Sequence, residues 1–484
     1  MPHNQTETQP AQNRVLGAVS YALTSLWFLM SAPPRFLLAH PILVLCPVVW
    51  KLTGPDLGQL IINIWGSWRY KATPVSCNPN WGRRDVTVIL PTIDVDNPKF
   101  DECILSILEN RPAAILIVTV GAKMRARCDA AAEAYRREYP STEIGVSAVL
   151  RPSKRRQVAH AVGHVRTEFT VLADDHVFWP SRDFLPSALA PFEDVNVGIV
   201  ATHKVVRRTT PGEWSMSSII NLIGCLYLLR HNWELRASNA VDGGVFVVSG
   251  RTAVYRTRFL RSGGLMRRYC NERFFFGLFG GKEGLGPDDD NFLTREAYKL
   301  GWDIKFQQTK DCTMETSLGD ESAVKFRGQL IRWARTTFRS NPCMLMRVSD
   351  TVHMPFTYFA VYGAALFNFA LVWDAALILS LARSTWSDGL LSASVLKLAL
   401  WILWSKTIKL WPHILRHPAD ISLLTCQIIF AYAHSIIKLW ACVTFYDCAW
   451  LGRNLNAVSA EADEAKEHLD QGFDFGTVAD RQRW

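Results

Sequence analysis

Residues 171–180, VLADDHVFWP, run apolar and then set Asp174, Asp175 and His176 side by side. Adjacent carboxylates repel and neither favours burial, so the cluster calls for a counter-charge. A hard divalent cation takes one or two carboxylates together with substrate phosphates; an aspartate pair capping a polar loop is the other reading. A second cluster, GPDDDNFLTREAYKLGW at 286–302, places three aspartates before an amphipathic helix. Helix-terminus electrostatics accounts for one of them. A crowded carboxylate has a raised pKa and can serve as a general base. In the third cluster, KFRGQLIRWARTTFRSN at 325–341, Gln329, Arg332 and Trp333 stand at i, i+3 and i+4 and share a helical face. An arginine fork grips a diphosphate and a tryptophan face stacks on a sugar or base. A basic helix lying on a membrane, with Arg327, Arg335 and Arg339, is the alternative, and the two are compatible.

Three lookalikes carry less. His160 and His164 in HAVGH lack the glutamate of a zinc-protease helix, the glycine-rich FGLFGGKEGLG lacks the spacing of a phosphate loop, and Ser249 in VVSGRTAVYR has no His/Asp partners around it as a nucleophile.

These clusters need a scaffold. DVTVIL (85–90), AAILIVTVG (113–121), FTVLAD (169–174) and NVGIVA (196–201) read as strands, with helical stretches at 99–110 and 122–138 between them. Strands alternating with helices predict a mostly parallel α/β sheet. Ligands sit beyond the carboxyl ends of such strands, where Asp174 and Asp175 fall. Around this region the chain divides into a tail (1–15), about two apolar segments (16–53, broken at Pro33-Pro34) and an interfacial helix (56–70). The soluble part (83–320) and the QxxRW region (321–350) follow, then apolar helices (354–450, as runs 354–382, 390–411 and 420–446) and a polar tail (451–484). Each of the last three runs is long enough to span a bilayer.

The chain of 484 residues is 49% hydrophobic with a net charge of +9 and 18 tryptophans, which fits a membrane protein with a folded polar domain. No basic tract interleaved with aromatics suggests nucleic acid as a partner. The 11 cysteines form no C-x-x-C pair, which points away from zinc ribbons and toward a reducing compartment. The N-terminus has no signal-peptide layout.

In order, Asp94, DDH, SGRTAVYR, DDD, QxxRW and then apolar helices, the chain resembles the membrane-integrated family-2 glycosyltransferases, the group of cellulose, chitin and hyaluronan synthases. DDHVFWPSRDFL is similar to the D-A-D-H stretch of cellulose synthases, and the layout is similar to fungal hyaluronan-synthase-type polysaccharide synthases. The resemblance implies a glycosyltransferase A-type, Rossmann-like α/β domain, cytosolic, between N- and C-terminal transmembrane helices of a multi-pass, plasma-membrane protein. It implies an inverting, processive transfer from a UDP-sugar donor to a growing polysaccharide acceptor, exported through the protein's own channel in the lipid bilayer. Homo-oligomerisation stays open.

By the same resemblance Asp290 is the general base supported by Asp289, and Asp175 with His176 holds Mg²⁺ or Mn²⁺. Asp94, Lys154, Asp174, Ser249, Arg251, Gln329, Arg332 and Trp333 bind substrate, with Lys154 to Arg156 near the phosphates. WLGRN (450–454) resembles a turn found after the last membrane helices of such synthases. The chain departs from the pattern in three places. Ala173 stands at the first Asp of D-x-D, Thr119 and Val120 replace the acidic residue ending the second strand, and three C-terminal spans are counted where an even number is needed. Two rivals remain: a non-processive lipid glycosyltransferase of the ceramide kind, with fewer spans, and an inactive scaffold or transport subunit. Asp374 and His434 within apolar runs favour a channel.

Overall fold

The structure, a computed structural model, describes residues 55–274, 277–280, 285–319, 322–346, 353–382 and 391–448. The apolar segments at 16–53, the WLGRN stretch and the tail at 451–484 lie outside the described residues. Two compact units are present: an α/β unit of Gly66–Asn271 with Gly286–Gln329, and a helical unit built mainly from Leu330–Cys448.

The strands of the α/β unit are β1 (Val86–Pro91), β2 (Ala114–Val120), β3 (Glu143–Val149), β4 (Phe169–Ala173), β5 (Val177–Phe178), β6 (Val197–Val206), β7 (Thr252–Arg256), β8 (Asp303–Gln307) and β9 (Thr313–Thr316). They form one sheet in the order β3-β2-β1-β4-β7-β6-β9-β5, with β8 also on β6. The first four are parallel neighbours. β7 enters antiparallel between β4 and β6, and β5 is antiparallel to β9. The sheet is mostly parallel, as expected, with five parallel strand pairs and three antiparallel ones.

Side-chain alternation explains why the apolar runs are continuous. Val86, Val88 and Leu90 of β1 face one core with Ile115, Ile117, Phe169 and Val171. Ile89, Leu116, Val118 and Leu172 face the other. Helices α1 (Pro98–Leu108) and α2 (Ala122–Glu138) cover the first face with Phe100, Ile104 and Ala132. Helix α3 (Lys154–Val162) covers the second with Val158, Ala161 and Val162. Helix α4 (Met216–Asp242), capped by Ser215, ends at Gly243, whose φ of 76° is the left-handed turn that glycine adopts without strain.

Helix α5 (Asp289–Lys299) precedes β8, and helix α6 (Ala323–Leu345) carries the QxxRW residues across the division between units. In the helical unit Ala334 and Phe338 pack with Leu366, Phe369 and Ala441. Arg335 and Arg339 are buried and turn to the segment after residue 443: Arg335 donates to Asp447 Oδ2 at 2.6 Å, and Arg339 to the carbonyls of Phe445 and Asp447 at 3.0 and 3.1 Å. These two arginines thus hold a turn and present no basic face; Arg327 is exposed.

Of the three C-terminal runs expected to span, Pro418–Val443 alone among the described residues is by itself long and apolar enough to cross a membrane. Val361–Phe367 and Ala370–Leu379 reach that length only as a pair bent by 68°. The run at 390–411 forms a 15-residue helix, Ala393–Thr407, that tightens into a 3₁₀ turn at Ile408–Leu410. Asp374, read as a channel residue, is buried and lies 2.7 Å from Lys406 Nζ.

Candidate active site

Register brings the first groups together. β1 and β4 run parallel with Ile89 opposite Leu172, so three residues further Thr92 lies level with Asp175. Thr92 Oγ1 donates to Asp175 Oδ2 at 2.9 Å, and His176 Nδ1 is 3.0 Å from Asp175 Oδ1. Thr92 Oγ1 also accepts from the backbone N–H of Asp94 at 3.2 Å; the Asp94 side chain is exposed. On the other side of β4, β7 places Thr252 opposite Ala173, and Asp174 N donates to the Arg251 carbonyl at 2.8 Å. Ser249, Gly250 and Arg251 therefore lie beside the DDH stretch.

Lys154 opens α3, a helix capped by Ser153, and its Nζ reaches three partners. It lies 2.7 Å from Asp174 Oδ1 and 3.3 Å from Asp289 Oδ2, and donates to the Gly250 carbonyl at 3.1 Å. Asp290 Oδ2 accepts from Gly250 N at 3.3 Å and its Oδ1 from Asn291 N at 2.9 Å. A Cβ on Gly250 would come within 3.1 Å of Lys154 Nζ and 3.4 Å of Asp289 Oδ2, so it would press on this ion pair. Asp288 precedes α5 at φ 64°, a left-handed conformation that Asp tolerates better than most residues.

Three of these charges are in different states. Burial opposes the Lys154 ammonium, but Asp174 and Asp289 outweigh it and hold the group above the ordinary lysine range. Burial likewise opposes the Asp174 charge, and Lys154 with His176 overcomes it, leaving the carboxyl below its usual range. Asp290 goes the other way: burial, then the negative charge of Asp289, push it above the usual range. The lysine thus keeps Asp174 ionised while Asp290 gains proton affinity. Groups pushed apart in this manner are how a site divides acid and base roles.

Several expected residues converge here: Asp174, Asp175, His176, Lys154, Ser249, Arg251, Asp289 and Asp290. Arg155, expected near phosphates with Lys154, is instead buried and donates at 2.7 Å to the carbonyls of Tyr269 and Pro287, anchoring the approach to the aspartate run. Gln329, Arg332 and Trp333 all lie on α6, the first in the α/β unit and the others in the helical unit. Of the histidine pair, His160 Nε2 is 2.8 Å from Ser147 Oγ on β3. Sequence reasoning missed Thr92 and Gly250; each follows from its place beside an aspartate only once the strands are paired.

Asp175 and His176 offer one carboxylate and one imidazole, and among the described residues no group of three or more His, Cys, Asp or Glu side chains could enclose a metal ion. Such a donor set fits a divalent ion that completes its shell with substrate phosphate and water.

A mixed α/β sheet with carboxylates at the carboxyl ends of β1 and β4 is the glycosyltransferase A-type arrangement. The fold is similar to that of a solved mannosyltransferase from Pyrobaculum calidifontis in complex with GDP-Man and Mn²⁺, at a TM-score of 0.50 and 17% identity over 83% of this chain and 99% of that one. The sequence profile of the glycosyltransferase-like family 2 matches residues 83–336. A type 2 glycosyltransferase of Zymoseptoria tritici is 34% identical over 82% of this chain and 81% of its own length. Another, from Pyricularia oryzae, is 32% identical over 82% and 79%. The chain belongs to the family-2 glycosyltransferases, and the enzyme is a glycosyltransferase.

Proposed function

We propose that the enzyme transfers a sugar from a UDP-sugar, with inversion, to a growing polysaccharide, and does so processively. The carrying observation is the opposed state of the site's carboxylates: Asp174 held ionised by Lys154, Asp290 raised by burial and Asp289. Asp290, the base, takes the proton of the acceptor hydroxyl as that oxygen bonds to the anomeric carbon. The carbon–oxygen bond to the diphosphate breaks on the opposite face, and UDP leaves with the bonding pair. Asp175 and His176 would hold Mg²⁺ or Mn²⁺, which supplies charge for the leaving diphosphate.

A membrane location, with the α/β unit on the cytosolic side and the helices as a route for the polymer, is part of this proposal. Its support is apolar surface: Leu400, Trp401 and Trp404 on Ala393–Thr407, and Ile429, Ile436 and Trp440 on Leu424–Val443, are all exposed. Large exposed apolar patches mark interaction surfaces. The second reading, non-processive transfer to a lipid, is favoured by the single unbroken apolar helix long enough to span among the described residues.

Full-length protein supplied with a panel of UDP-sugars and analysed for product length decides between them; single-sugar lipid products alone would sink processivity. In the same assay Trp333→Ala loses polymer synthesis far more than it loses UDP affinity, because stacking against the acceptor aligns the chain end. Turnover disappears with EDTA and returns with Mn²⁺ or Mg²⁺. Asp175→Ala weakens metal-dependent UDP binding more than Asp174→Ala, since Asp174 is engaged by Lys154. The reverse order would move the metal to Asp174.

A further inference from the structure

Lys204, on β6, is 2% exposed, and its Nζ lies 2.9 Å from His231 Nδ1 on α4. No carboxylate forms an ion pair with it among the described residues. Its backbone is satisfied separately, with Lys204 N donating to Asn232 Oδ1 at 3.3 Å, so the side chain's direction is not a by-product of backbone pairing. A buried lysine ordinarily has an anionic partner. This one has an imidazole.

Its position is specific. β6 and β7 are antiparallel with Ala201 opposite Ala253, and Thr202 Oγ1 donates to the Thr252 carbonyl at 2.8 Å. Continued three residues, that register sets Lys204 at the level of Gly250, the residue whose N–H donates to Asp290. His231 and Arg251 are only partly buried. The charged and titratable groups facing it are Arg251 and Asp290 from the neighbouring loop and helix, and Tyr227, Arg230 and Glu234 from α4 itself. Arg230 is 3.7 Å from Glu234, which offsets its charge.

We propose that Lys204, His231 and Arg251 form a subsite for an oxyanion, a carboxylate or phosphate ester, carried by the acceptor beside Asp290. Only the word acceptor rests on the function proposed above; the oxyanion site does not. Burial, then the Arg251 charge, push Lys204 down to about 7, and burial with Lys204 and Arg251 holds His231 well below its usual range. An arriving oxyanion favours the ammonium, so the amine takes a proton from solvent as the anion binds. Binding is then strongest below the free lysine's value and weakens as pH rises above it.

Sulfate, which does not titrate near neutrality, is the probe, and calorimetry on full-length protein saturated with UDP and Mn²⁺ is the measurement. Wild-type protein binds sulfate with uptake of a proton near pH 7.5, and affinity falls about tenfold or more from pH 6.5 to 8.5. Lys204→Met weakens sulfate binding at least about tenfold, the scale of a lost charge-assisted contact, and leaves UDP affinity unchanged. Lys204→Gln serves as second variant if the methionine protein does not fold. Glucuronate competes with sulfate and glucose does not if a carboxylate is accepted; competition by glucose 1-phosphate alone assigns the site to phosphate esters. Absence of sulfate binding, binding unaffected by both substitutions, or sulfate displaced by UDP (which would make this the donor's diphosphate site) overturns the proposal. Transfer activity is not the readout, so the outcome stands whatever the product proves to be.

Discussion

Asp290→Asn lowers glycosyl transfer by about 10²–10⁴-fold, the range for loss of a general base, while UDP binding stays within a few fold. Asparagine keeps the shape, and its amide oxygen can still accept from one of the two N–H groups that orient the side chain, Gly250 N or Asn291 N. What it cannot do is take a proton. The wild-type carboxyl must be ionised to act, and burial together with Asp289 raises its pKa. The acid limb of kcat/KM therefore lies above the ordinary carboxylate range of about 3.9, and activity is lost as pH falls through the raised value. Asp289→Asn removes the larger of the two neighbouring negative charges that raise it and moves that limb to lower pH. Full activity in Asp290→Asn would transfer the role to Asp289, and a limb unmoved by Asp289→Asn would sink the electrostatic account.

Lys154→Met destabilises the α/β unit by about 3–5 kcal/mol, the cost of breaking a buried ion pair from one side. The substitution keeps the apolar stem. It removes the charge shared by Asp174 and Asp289 and the donor to the Gly250 carbonyl. The signs follow from the directions of the shifts. Asp174 is lowered on folding, so its contribution is present above the ordinary aspartate value and lost as pH falls through its folded value. Lys154 is raised, so its contribution is present below the ordinary lysine value and lost only as pH rises through its folded value. The deficit of Lys154→Met is thus full at neutral pH and closes as the carboxyls protonate. Denaturant midpoints at pH 7 and at the acid end measure it. Adding Asp174→Asn and Asp289→Asn to Lys154→Met recovers much of the loss, because neutral amides need no counter-charge. Failure of the triple variant to regain stability would mean that the lysine acts through packing.

The strands and the helices that carry the chemistry were legible as patterns, because apolar runs and periodicity are local properties of the chain. Val86–Pro91, Ala114–Val120 and Ala122–Glu138 lie within a residue or so of where the sequence predicts them. In the sequence β7 shows as a motif and not as a strand, and its antiparallel entry is hidden, since strand direction depends on long connections that leave no local trace. Helix α4 was missed as well: its buried face mixes Asn221, Asn232 and Ser238 with leucines, so hydrophobic periodicity is weak. The clusters DDH, DDD and QxxRW were visible because charge at the end of an apolar run is costly and stands out.

From the sequence alone came the identity of the reactive residues and the family pattern they follow, both written in neighbouring letters. Only the tertiary structure decided what state each residue is in. Asp174 and Asp290 belong to similar-looking aspartate runs, yet one is paired with Lys154 and the other is crowded by Asp289. Lys154 and Arg155 are adjacent and alike in charge, yet one faces the carboxylates and the other is buried against two backbone carbonyls. The physical reason is that a charge is set by desolvation and by the ions within a few ångströms, and in this fold those neighbours arrive from segments far apart in the chain.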